Sequence, residues 1–166
     1  MTSFFHRGLL MLAALIGLMS VSAGVQAQVP QYGPNVNLEQ ARKLVAAALA
    51  DARKQNLPMA VAIVDNAGQL VAFERMDNTQ TASTAVAQDK AVSAAMFRRP
   101  TKAFQDVVAG GGVGLRILTL RGANAVEGGL PIVVDGKIIG GIGVSGVMAS
   151  QDEMVAKAGA DWLAAK

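Results

Sequence analysis

The 166-residue chain contains no cysteine, a single histidine, and aromatic residues at only 4%. Without cysteine there is no disulfide framework and no thiolate metal cluster, so the fold must be held by its own core. The histidine is His6, inside an amino-terminal stretch that reads as a leader. Residues 1–27 have a short basic start, an apolar run from Leu9 to Met19 and small residues ending Val25-Gln26-Ala27, the pattern of a secretory signal cleaved after Ala27. The apolar run is too short for a stable membrane span. The mature chain from Gln28 is then expected to be periplasmic or secreted, and it keeps no histidine. That removes a serine triad at Gly143-Val-Ser145-Gly146 for want of a base, and leaves Ser145 as a turn residue. It also removes a histidine–cysteine metal site. Charge is scarce in the same way. With Arg7 lost, fourteen Lys and Arg face twelve Asp and Glu, and the small, dispersed excess selects neither nucleic acid nor an anionic membrane.

What is abundant is alanine, valine and glycine, a composition suited to helices packed closely on a sheet. The chain is organised around Gly128 to Glu153. Leu130–Val134 and Lys137–Val144 flank Asp135-Gly136, a dipeptide that favours a type I′ hairpin because both central residues need positive φ. Gly140, Gly141 and Gly143 thin the second strand and predict close backbone approach. Ser150 with Glu153 three residues on reads as a capping box opening the last helix, with the acids Asp152 and Glu153 serving the cap and the helix dipole. That helix turns Val155, Ala158, Gly159, Trp162 and Leu163 toward a sheet. Gly141-Ile-Gly143-Val-Ser-Gly146 matches a dinucleotide fingerprint, but no strand with an acidic residue follows, so nucleotide binding is not inferred.

Upstream, residues 28–36, with Pro30 and Pro34, form an extended arm. Residues 37–166 form one domain. Asn37 with Gln40 caps a first helix whose apolar positions recur from Leu38 to Ala52, and Asn56 and Pro58 stop it. Met59–Val64 and Gln69–Met76 make a hairpin across Asp65-Asn66-Ala67-Gly68, with Asp65 explained by its turn. Hydroxyls from Thr79 to Ser83 can cap a second helix over Thr84–Phe97, and Thr101 a short third one through Val108. Gly110–Gly114 is a flexible link with no P-loop lysine, and Arg116–Leu120 is a further strand. The order α, β-hairpin, helices, β-hairpin, α predicts an α+β domain: an antiparallel sheet of four to five strands covered by helices.

Several segments together resemble the haem-degrading-domain, or GlcG/HbpS-like, family. They are Val64-Asp65-Asn66-Ala67-Gly68, Phe73-Glu74-Arg75-Met76-Asp77, Asp89-Lys90-Ala91, Gly128-Gly129-Leu130-Pro131-Ile132, Asp135-Gly136, Ile142-Gly143-Val144-Ser145-Gly146 and Gln151-Asp152-Glu153. The resemblance implies an α/β/α sandwich, assembly as homo-oligomers, often octamers, and binding of haem or a related tetrapyrrole. Candidate ligand contacts are Arg75, Met76 and Asp77 at a strand end, Lys90 in the second helix, and Pro131 in the GGLPI stretch. Arg75 has two readings, a bidentate grip on a ligand carboxylate or a pair with Glu74 or Asp77. Lys90 likewise reads as a solvated helix residue or as a carboxylate contact. No histidine ligand for haem iron remains, so the donors are Tyr32, Lys90 or a methionine among Met59, Met76, Met96, Met148 and Met154. The methionines also serve as core filler, and Tyr32 as an interface or surface residue. A binding protein is the expectation. The alternatives are an enzyme acting on a small organic acid or on haem, and a chaperone-like accessory protein without a small ligand.

Overall fold

The computed structural model describes residues 29–164; the leader assigned to 1–27 lies outside them. The elements, in order, are β1 (Gln31–Tyr32), α1 (Leu38–Lys54), β2 (Ala60–Val64), β3 (Leu70–Arg75), α2 (Ser83–Phe97), α3 (Lys102–Ala109), a 3-10 helix (Gly112–Thr119), β4 (Gly129–Val134), β5 (Lys137–Ser145) and α4 (Ala149–Ala164). Both hairpins are where the turn chemistry puts them. Asp135 and Gly136 have φ of 50° and 72°, the left-handed pair that a type I′ turn requires.

β5 is the hub of the sheet. It pairs antiparallel with β4 on one side and with β2 on the other, and β2 carries β3 outward. The sheet is mixed rather than wholly antiparallel, because β1 runs parallel to the start of β5, with Gln31 opposite Lys137 and Tyr32 opposite Ile138. The arm therefore joins the sheet. It is stitched there by Gly33 N–H to Ile138 O and Val36 N–H to Ile139 O, both 2.7 Å. The Tyr32 hydroxyl donates to the last carbonyls of α2, Ala95 O and Met96 O, at 3.0 Å each. Arg98, left-handed at the end of α2, stacks over the Tyr32 ring.

The two faces differ in character. Val61 and Ile63 of β2 and Ile142 and Val144 of β5 face a core built with Leu44, Val45 and Leu49 of α1 and Val155 of α4. Burial of each large aliphatic side chain here contributes about 1.5–3 kcal/mol. The alternate residues, Ala60, Ala62 and Val64, face Ala87, Ala91 and Ala95 of α2. On β5 the positions turned to α2 are Gly141 and Gly143. A Cβ there would run into the backbone oxygens of Ala91 and Ala87. Gly141 and Gly143 of the fingerprint are thus mid-strand packing residues that let α2 settle on the sheet, while α1 and α4 cover the opposite face and complete the sandwich.

Several local expectations are corrected. Residues 116–119 belong to the 3-10 helix and Leu120 follows it as its C-cap, so this run is not a strand. Ser150 lies inside α4, and Glu153 reaches away to accept from Gly128 N–H at 2.8 Å, so there is no Ser150–Glu153 capping box. Thr101 precedes α3 without capping it; its hydroxyl instead accepts from Gly129 N–H at 3.0 Å. No side chain caps α2, and Thr79 donates back to Met76 O. Ser145 ends β5, buried, and donates to Ser83 Oγ at 3.0 Å. In α4 the buried face is Val155, Ala156 and Gly159, with Ala158 only half-buried. The Asn37–Gln40 capping box is formed as read.

Candidate functional site

Register gathers the chemistry at one end of the sheet. Arg75 ends β3 opposite Ala60, and Ala60 lies opposite Ser145, the last residue of β5. β4 begins at the same end, with Gly129 opposite Gly143. The first turns of α2 and α4 also open there, as Ser83 and Asp152 show by their contacts to β5 and to Lys90. The last turn of α1 closes beside β3. Its carbonyls are satisfied by a Schellman arrangement, with Leu57 N–H to Ala52 O at 3.0 Å, Asn56 N–H to Arg53 O at 3.2 Å, and Asn56 left-handed at φ 56°.

Between this helix end and the strand end lies a groove of about 390 Å³. Leu57, Pro58 and Met76 form its apolar part, with Arg53 and Asn56 from α1 and Asp77 and Asn78 from the turn after β3. That turn is set by Asn78 at φ 61° and by Thr79 N–H and Oγ1 bonding to Met76 O. Arg53 and Arg75 are exposed, and among the described residues neither forms an ion pair. Arg75 is therefore not locked to Glu74 or Asp77. An apolar patch beside the unpaired guanidinium of Arg53 suits a ligand that is apolar in body and carboxylated at its edge.

Arg75, opposite Ala60, falls with Phe73 on the α2 face of the sheet, outside the groove lining; of the residues picked from sequence, Met76 and Asp77 come together in the groove. Pro131 does not. It is half-buried in edge strand β4 opposite Gly141, and β5 and β2 separate β4 from β3, about 14 Å at the usual strand spacing. Lys90 is elsewhere again and is not solvated. Its side chain is 1% exposed, with Nζ 2.7 Å from Asp152 Oδ2 and 3.1 Å from Val144 O. Gly128, at φ 114°, lies over this ammonium, and a Cβ at that position would press on Nζ. The carboxylate that Lys90 holds is thus the protein's own.

Beside it Glu153 is half-buried. Burial pushes its carboxyl above the usual value of 4.5, the Gly128 N–H pulls it back, and neighbouring Glu127 pushes it up again. Glu127 is 3.6 Å from Lys102, and its N–H donates to Gln105 Oε1. This polar cluster binds α2, α3 and α4 to the start of β4.

Among the described residues no group of three metal-binding side chains is gathered. As donors to haem iron, Tyr32 is committed to two carbonyls, Lys90 to Asp152, and Met59 is wholly buried. The thioether of Met76, in the groove beside Arg53, fits both needs of a haem, a soft donor and a cation for a carboxylate. Sequence reading missed Arg53, Asn56 and Asn78. Asn56 was visible only as a helix stop, and Arg53 as one of several charges on the outer face of α1.

Residues 36–161 match the family described as haem degrading protein, HbpS-like. Protein GlcG of Escherichia coli K12 is 40% identical over 107 residues, 64% of this chain and 78% of that protein. A double mutant of HbpS from Streptomyces reticuli superposes with a TM-score of 0.73 at 30% identity, over 80% of this chain and 90% of that one. A PduOC–haem complex superposes at 0.69 and 29% identity, over 76% and 94%.

Proposed function

The chain belongs to the HbpS-like family of haem degrading proteins, and from that premise we propose that it is an exported, oligomeric binding protein for haem, or for a related tetrapyrrole or small carboxylated ligand. The observation that carries the reading is the groove at the end of the sheet, where a half-buried thioether lies beside the unpaired guanidinium of Arg53. The similarity to a PduOC structure holding haem supports the ligand class. Arg53 would hold a carboxylate, Leu57, Pro58 and Met76 would take the apolar body, and the Met76 thioether would supply a donor to the iron. Bound haem brings the redox and ligand-exchange chemistry of its iron; this chain brings orientation and charge. Arg75, Pro131 and Lys90 lie outside the groove, and Lys90 fixes the first turn of α4 against β5.

Export rests on the leader pattern of residues 1–27, which amino-terminal sequencing of the protein from the periplasm or medium tests. Among the described residues no helix is long and apolar enough to cross a membrane. The ligand assignment is tested by titrating hemin into the Arg53→Ala variant. Loss of the carboxylate contact predicts affinity lower by about tenfold, that is ~1.4 kcal/mol, and unchanged affinity removes the groove from the site.

A further inference from the structure

The surface farthest in character from the groove is built by α3, the 3-10 helix and the loop to β4. It leaves Val107, Val113, Leu115, Leu118, Leu120 and Val126 exposed, Val113 by 85% and Leu118 by 66%. An aliphatic patch of this extent marks a contact surface. Its charge is one-sided: residues 98–126 carry five Lys and Arg against Asp106 alone, and 107–126 carry no acid at all. Arg116 and Arg121 are exposed and in no ion pair among the described residues.

Next to this ridge is its electrostatic complement. Gly122, Ala123 and Asn124, immediately after Arg121, form with Asp89 and Val92 of α2 a hollow of about 260 Å³. Asp89 is exposed there and in no ion pair among the described residues. The hollow is rigid: Asn124 N–H donates to Ser93 Oγ at 3.0 Å, and Asn124 Oδ1 accepts from Val126 N–H at 3.1 Å.

We propose that this face is a two-fold interface between two copies of the chain, in which Arg121 of each copy enters the Asp89 hollow of the other and the aliphatic ridges close between them. A two-fold contact needs a surface that carries both halves of its own complement, and this one has an unpaired cation, an unpaired anion and an apolar centre side by side. Arginine at an apolar contact is a common anchor, and burial strengthens a pair that would be weak in water. An anionic lipid surface would also attract Arg116 and Arg121, but it would repel Asp89, and it offers no cation to the hollow. The proposal rests on the oligomeric reading above and supplies its surface; it is independent of the ligand.

Sedimentation velocity over a concentration series tests it, using the purified protein with Asp89→Arg, Arg121→Asp, and the two exchanged together. Both positions are exposed, so the fold, followed by far-ultraviolet circular dichroism, stays intact. Each single change is expected to weaken self-association at least about tenfold, and the exchanged pair to restore it. Single variants that assemble like the wild type overturn the surface while leaving assembly itself standing. A wild type that is monomeric throughout overturns both. A monomer that sediments with phosphatidylglycerol vesicles, and not with phosphatidylcholine ones, assigns the ridge to lipid and overturns the proposal.

Discussion

Lys90 Nζ lies 2.7 Å from Asp152 Oδ2, joining α2 to the first turn of α4 across 62 residues, with both side chains almost completely buried. Removing one partner leaves the other as an uncompensated charge in the interior. Lys90→Met and Asp152→Leu are each expected to cost about 3–5 kcal/mol, and the double variant less than either, because it buries no charge. Urea unfolding of the three proteins measures this, and additive losses would show that the two side chains act separately.

The packing of α2 on β5 predicts a sharp contrast between glycines. At Gly143 an added Cβ would meet the backbone of Ala87 and Ala91, which cannot turn aside as a side chain can. Gly143→Ala is expected to destabilise by at least about 1–3 kcal/mol. Gly110 has a φ of −71° and only ordinary contacts around its missing Cβ, so Gly110→Ala is expected to be neutral or to stabilise by up to about 1 kcal/mol. Thermal denaturation of the pair checks the contrast; equal effects would contradict the close approach.

Glu153 predicts a pH dependence of definite sign. Its carboxyl is raised above 4.5, chiefly by burial. The native state therefore binds this proton more tightly than the unfolded state, and the group's contribution is full below the unfolded value and lost as pH rises through the folded one. Glu153→Gln keeps an acceptor for Gly128 N–H without the charge. Relative to the wild type it should gain stability as pH climbs from 4 toward 7. A stability difference flat across that range would mean that Glu153 titrates as it does in the unfolded chain.

These interactions divide into those legible in the sequence and those that were not. The two hairpins and the α1 cap were legible because each is decided by a few neighbouring residues: Asp135-Gly136, Asp65 to Gly68, and Asn37 with Gln40. The sandwich followed from the element order and from the small-residue composition, and the glycines of β5 bear out the close packing expected of it. The Ser150–Glu153 box was equally local and did not form, since Gly128 N–H, from another part of the chain, takes the Glu153 carboxylate. Residues 116–120 show the ambiguity of a short apolar run, which periodicity alone does not assign to strand or helix. β1 was missed because two residues between prolines carry no alternation. Lys90 looked solvated because nothing in an alanine-rich helix reveals a partner 62 positions away. In the groove, Met76 and Asp77 are adjacent in sequence and were found together, whereas Arg53 and Asn56 meet them only through the packing of α1 beside β3; Arg75, read with them, is turned to the α2 face by strand alternation.

The central claim, that this chain binds a haem-like ligand, is tested most directly by titrating hemin into the purified protein while recording the Soret band and the fluorescence of Trp162. The account predicts a shifted Soret band that saturates, with parallel quenching of Trp162. A Soret band unchanged by the protein, with no saturable quenching, would contradict it.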